Sequence, residues 1–141
     1  MCKLEYALVT APNALAVEFI RTMKIRGIPF ALMVNNSKSR KEAMDRGIEH
    51  VVLVDTTKRK NQIVPEIPIG PVYIFEESLT LTCRYLQFCR PWTRRPIYII
   101  TQRMNPGAVY KGLGADYVIY TKGKDVSFIL QKENKGGAYG Q

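Results

Sequence analysis

Two hydrophobic periods alternate along this chain, and their alternation leaves few folds open. Short apolar runs stand at residues 4–10 (LEYALVT), 29–34 (PFALMV), 50–54, 72–75, 96–101 (PIYIIT) and 117–120. Runs this short, rich in branched and aromatic residues, read as strands. Between the first two, Ala16, Phe19, Ile20 and Met23 recur at the i, i+3, i+4, i+7 spacing of one helical face. Asn13 is placed to cap that helix and Gly27 to end it. A second helix is expected at about 39–46 with Gly47 as its stop. A third is expected from the cap Ser78 to Cys89, ended by Pro91, and a fourth from Asn105-Pro106 to about Gly112–Gly114. Residues 56–70 hold Lys58, Arg59, Lys60, Pro65 and Pro68 and read as a loop without a long crossover helix.

Strands that are apolar on both sides belong to parallel sheets covered by helices. The order βαβαβ, linker, βαβαβ therefore predicts a Rossmann-like doubly wound α/β fold. Its mostly parallel six-stranded sheet has order 3-2-1-4-5-6 and helices on both faces. Residues 28–54 lie over 95–121 at an offset of 67, which pairs Gly47 with Gly114. Each copy reads strand, helix, glycine stop, strand, as two mononucleotide-binding halves would. At 141 residues the chain is the size of one domain, placed at 1–130. The glycine-rich tail, 131–141, is expected to be disordered.

No apolar run approaches the roughly 20 residues of a membrane span, and the first residues do not form a secretory signal. The expectation is a cytoplasmic protein. Cys2, Cys83 and Cys89 contain no CxxC pair, and His50 is the sole histidine. Free thiols and no zinc site are expected. Net charge is +9, concentrated in Lys38-Arg40-Lys41, Lys58-Arg59-Lys60 and Arg90-Arg94-Arg95. Such clusters are solvated loops in the ordinary case and a field for phosphate-bearing partners, nucleic acid included, in the other.

In a doubly wound sheet the ligand lies beyond the strand ends where strand order reverses. Here that point falls between the first and fourth strands. The candidate binding residues are Ala11, Pro12, Asn13 and Ala14 in the first turn. Asn35, Asn36, Lys38 and Arg40 follow the second strand, and Glu76, Glu77 and Ser78 follow the fourth. If Ala11, Asn13 and Ala16 occupy the three glycine positions of GxGxxG, all three glycines are gone and Pro12 removes one amide. Asn at the second position tolerates positive φ. Neutral and basic residues after the second strand favour a phosphorylated ribose over a free diol. Glu76 and Glu77 are adjacent, so only one reaches the crevice. Tyr120 and Lys124 have the Tyr-x-x-x-Lys spacing of short-chain dehydrogenases, but they follow a strand with Gly123 between them. Trp92, amid Arg90 and Arg94, is placed either to stack a base or to anchor a connector.

The acidic strand end Glu76-Glu77, the Asn105-Pro106 helix start and Leu113-Gly114-Ala115-Asp116 before a Val-Ile strand carry a resemblance. From about Leu4 to Tyr120 the chain resembles the TrkA-N domain, the regulator of potassium conductance (RCK) fold. Its first half equally resembles the NADP domains of medium-chain reductases. The TrkA-N likeness implies nucleotide or NAD(P) sensing, homodimer formation and a membrane-transport partner. The resulting reading is a regulatory nucleotide-sensing or partner-binding module with a degenerate phosphate loop and no catalysis. The alternatives are an NADP-dependent oxidoreductase and a basic nucleic-acid-binding or structural module.

Overall fold

The computed structural model describes residues 4–55, 65–102, 107–121 and 129. The 58–60 cluster, Cys2, Asn105-Pro106, Lys124 and the 131–141 tail lie outside these residues, as does most of the expected loop. The described strands are β1 (Tyr6–Val9), β2 (Phe30–Val34), β3 (Val51–Leu53), β4 (Ile69–Phe75), β5 (Ile97–Thr101) and β6 (Tyr117–Tyr120). They form one sheet in the order β3-β2-β1-β4-β5-β6, and every pairing is parallel. The fold is thus a Rossmann-like doubly wound sheet with β1 central.

Alternation along the strands divides the core in two. Ala7, Val9, Leu32, Val34, Tyr73, Phe75, Tyr98 and Ile100 point to one face, where α1 (Ala14–Ile25) and α2 (Ser37–Asp45) pack. Leu8, Ala31, Met33, Val72, Ile74, Ile97 and Ile99 point to the other, against α3 (Leu79–Cys89) and α4 (Gly107–Gly112). Burial of such a side chain is worth roughly 1.5–3 kcal/mol, and a strand shifted by one residue would send each set into the other core and misfit the packing of both. On the first face Phe19 tilts against Tyr73 and Phe75, with ring centroids 4.8 and 5.4 Å away.

Three helices end in the same way. Gly27, Gly47 and Gly114 have φ of 69°, 87° and 115°. The amide after each glycine donates to a carbonyl five residues back: Ile28 to Met23, Ile48 to Ala43, Ala115 to Tyr110. Such glycine-terminated helix ends use conformations that a side chain disfavours. The Gly47–Gly114 equivalence is therefore structural.

Two elements differ from expectation. β4 starts at Ile69, inside the segment read as loop on the strength of Pro65 and Pro68. Its pairing with β1 slips between Tyr6↔Ile69 and Leu8↔Val72, so β4 carries one extra residue there. That bulge accommodates Pro71, which has no N–H for a ladder. α2 starts at Ser37 because Asn36, rather than a later residue, caps it. After α3 a single 3-10 turn, Arg90–Trp92, leads into β5. Trp92 is half-buried against the second core, as a connector anchor.

Candidate functional site

The C-terminal edge of the sheet gathers three helix starts. Asn13, Asn36 and Ser78 each cap the helix that follows β1, β2 or β4. Their side-chain oxygens accept from Ala16 N at 3.0 Å, Ser39 N at 2.7 Å and Leu81 N at 3.1 Å. Each cap satisfies one of the unpaired first-turn amides and leaves others, with the positive end of the helix dipole, directed at the crevice. Asn13 has φ −149°, so it does this in extended backbone and makes no use of the positive-φ tolerance expected of it.

Thr10 sets where the crevice begins. Its amide donates to Tyr73 O at 3.2 Å and its hydroxyl accepts from Phe75 N at 2.9 Å. These contacts hold β1 and β4 together one residue past the ladder, with Thr10 buried. The chains part only at Ala11 and Glu76. Sequence reasoning passed over Thr10 because nothing marks a strand-end threonine as a clamp until its partner strand is known.

The two glutamates divide as their adjacency requires. Glu76 turns toward β5 and α4, where its carboxylate accepts from Thr101 Oγ1 at 2.5 Å and from the hydroxyl of the buried Tyr110. Burial, then the Glu76 hydrogen bond and charge, push the Tyr110 hydroxyl well above its ordinary range. Glu77 faces the cleft beside Tyr85, and its amide donates to Thr82 Oγ1 at 3.2 Å. Burial raises the Glu77 carboxyl. Burial and then the Glu77 charge raise the Tyr85 hydroxyl.

A cleft of about 570 Å³ starts at these strand ends and continues between α1 and α2. It takes in Ala11, Pro12, Asn35, Asn36 and Glu77 from the expected set. Asn36 Nδ2 donates to Asn35 Oδ1 at 3.0 Å, which fixes the amide pair at its rim. Asn13, Ala14 and Ser78 are exposed on the neighbouring helix starts, and Lys38 and Arg40 are exposed on α2; none of these five lines the cleft. The cleft's cations are instead Arg21, Lys24 and Arg46, with Glu42 among them. Their signal was a second i, i+3, i+4, i+7 stripe on each helix, which is visible only once α1 and α2 are known to be neighbours. The cleft thus runs from an acidic end at Glu77 to a basic end at Lys24 and Arg46.

Two arginines of the third basic cluster are tied into the fold. Arg90 donates to Gly114 O, Asp116 Oδ2, Thr93 O and Arg95 O at 2.8–3.1 Å, and Arg95 pairs with Glu5 at 2.9 Å. Among the described residues no group of acidic, histidine and cysteine side chains is placed to hold a metal. No described helix is long and apolar enough to cross a membrane.

No protein-family model matches the sequence, and no curated protein matches it. Solved structures do. The TrkA-N domain of the inner membrane protein ybaL from Escherichia coli superposes with TM-score 0.63 at 12% identity, over 96% of this chain and 98% of that one. The NAD(P)-binding domain of an exopolyphosphatase-related protein from Archaeoglobus fulgidus gives 0.63 at 13%, over 97% and 99%. The GsuK channel bound to NAD gives 0.65 at 14%, covering 83% of this chain and 21% of the channel chain. At these identities the likeness is one of fold. The chain has a Rossmann fold, similar to that of these TrkA-N, channel and NAD(P)-binding domains.

Proposed function

We propose that the chain is a regulatory nucleotide-sensing module that binds an adenine nucleotide or NAD(P) weakly, without hydride transfer, and acts on a membrane-transport partner. The nucleotide lies across the Ala11–Asn13 turn, the Asn35-Asn36 pair and the end of β4 at Glu77-Ser78. The observation that carries the reading is the crevice between β1 and β4. It opens at the strand-order reversal, it faces the capped start of α1, and it leads into a cleft of ligand size. The NAD-bound channel and the NAD(P)-binding domain among the fold neighbours support the ligand class, and the channel supports the class of partner. Weak binding follows from the loop itself. Ala11, Asn13 and Ala16 stand where glycines would let a pyrophosphate approach the backbone, and Pro12 gives no amide. Self-association as a two-fold dimer completes the proposal.

Titration calorimetry with ADP, NAD and NADP on the whole chain tests this, with sedimentation for the dimer. Asn13→Asp places a carboxylate beside the phosphates and is expected to lower affinity about tenfold, a change of about 1.4 kcal/mol. An unchanged affinity would put the site elsewhere. A monomer that binds dinucleotide at micromolar affinity or tighter would overturn both the weak-site and dimer readings in favour of an oxidoreductase.

A further inference from the structure

The cleft does not stop where a nucleotide would. Below the strand ends it continues as a groove between α1 and α2, and each helix supplies one full stripe to it. Val17, Ile20, Arg21 and Lys24 come from α1, and Ser39, Glu42, Ala43 and Arg46 from α2. Both sets recur at i, i+3, i+4, i+7, so two parallel faces look at each other across the groove along its whole length. The floor is apolar: Ile20 and Ala43 are buried, Leu32 of β2 lies beneath, and Ile48 closes the far end. Val17 remains 42% exposed, an aliphatic side chain at the open upper part. The far end is basic. Lys24 and Arg46 are exposed there, and among the described residues neither is in an ion pair, while Arg21 is held at 3.4 Å by Glu18.

We propose that this groove binds a small amphipathic anion lengthwise, with an apolar chain on Val17, Ile20 and Ala43 and a carboxylate or phosphate head between Lys24 and Arg46. The whole cleft, of which this groove is the lower part, has a volume of about 570 Å³, within the roughly 300–1,000 Å³ of small-molecule sites. The apolar floor is walled by Arg21, Ser39 and Glu42 along its length and by Lys24 and Arg46 at its far end, so apolar and charged surface run side by side for an amphipathic occupant. The occupant's charge follows from complementarity, since Lys24, Arg21 and Arg46 outnumber Glu42 along the groove. The single-chain shape follows from the two parallel stripes, which leave a trough rather than a bowl. This site uses the middle of both helices and their C-terminal ends, the α2 C-cap Arg46 included, but neither N-cap, so it meets the nucleotide site only where the two share the upper end of the cleft.

The test is titration calorimetry and thermal shift of the whole chain with decanoate and decyl phosphate below their micelle concentrations. Decanol and decyltrimethylammonium serve as neutral and cationic comparators. Either anion is expected to bind and raise the melting temperature, the preferred one distinguishing a carboxylate from a phosphate source, and the comparators are not. Lys24→Ala with Arg46→Ala is expected to weaken binding at least tenfold. Val17→Asp, at an exposed position, is expected to abolish binding without unfolding the chain. Asn13→Asp is expected to leave decanoate affinity unchanged, which separates failure here from failure of the nucleotide site. Failure of both anions to bind, equal binding of decanol or the cation, or insensitivity to the double variant each overturns the proposal. So does dimerisation that Val17→Asp abolishes with no response to either anion, because the groove would then belong to a second copy of the chain.

Discussion

Gly114 joins a backbone requirement to a side-chain one, and Gly114→Ala should be the most damaging of the three helix-end glycine substitutions. Its φ of +115° lies beyond the left-handed well near +57°, so an alanine incurs about 1–3 kcal/mol of backbone strain. A Cβ built there would also lie 2.8 Å from Arg90 Cδ and 3.1 Å from Cγ. The stem cannot retreat freely, because its guanidinium is tied to Gly114 O, Thr93 O, Arg95 O and the carboxylate of Asp116. That carboxylate also accepts from Ile97 N at 2.8 Å, which pins the start of β5. Loosening one charge-assisted bond of this group costs about 1.5–3 kcal/mol. The expected total is about 2.5–6 kcal/mol, out of a typical 5–15. With unfolding entropy near 2.1 cal/mol/K per residue, that lowers the melting temperature by roughly 8–20 °C. Gly27 and Gly47 have nothing within 4 Å of a built Cβ. Their alanine variants carry the backbone term alone, about 1–2 kcal/mol, and should melt only about 3–7 °C lower. Calorimetric melting of the three variants gives the comparison. Adding Arg90→Ala to Gly114→Ala should cost less than the two single changes summed, since the clash is then gone. Equal melting shifts at all three glycines, or strict additivity in that pair, would refute the reasoning.

Three further outcomes follow from the same contacts. Thr10→Val keeps the shape of the side chain but strands the buried Phe75 amide, which Thr10 Oγ1 now accepts from at 2.9 Å. Denaturant unfolding should report a loss of about 1–3 kcal/mol. Tyr85, Tyr110 and Cys89 all have their protons held more tightly in the folded chain, in each case first by burial. Their contribution to stability is complete below their ordinary values of 10.0 for the tyrosines and 9.0 for the thiol, and is lost as pH rises above them. Urea midpoints at pH 8, 9.5 and 10.5 should therefore fall steadily, and a flat profile would contradict the burial. Tyr110→Phe removes the hydroxyl that donates to Glu76 while Thr101 still does so. A loss of about 1 kcal/mol is expected, with a shallower decline in the alkaline series than in the unaltered chain.

Much of the architecture follows from the sequence because its signals are local. The period of 3.6 in α1, the short apolar runs and the stops at Gly27, Gly47 and Gly114 depend on residues near each other in the chain. Strand order follows from those elements by the handedness and shortness of βαβ connections. The candidate turn at Ala11–Asn13, the Asn35-Asn36 end of β2 and the divergence of Glu76 from Glu77 were legible for the same reason. What escaped depends on distant partners. Pro65 and Pro68 argue locally for a loop up to residue 70, yet β4 begins at Ile69 and runs through Pro71 because β1 lies opposite and a bulge absorbs the missing amide. Thr10 becomes a clamp only where Phe75 meets it across 65 residues of chain. Arg90 looks like one member of a basic cluster until Gly114 and Asp116 come round to take its guanidinium. The groove cations Arg21, Lys24 and Arg46 lie off the buried faces of their helices and are exposed. Which solvent face becomes the wall of a cleft is decided by how the two helices lie side by side on the sheet. Periodicity says which face of a helix is buried, and tertiary structure alone says what the other face looks at.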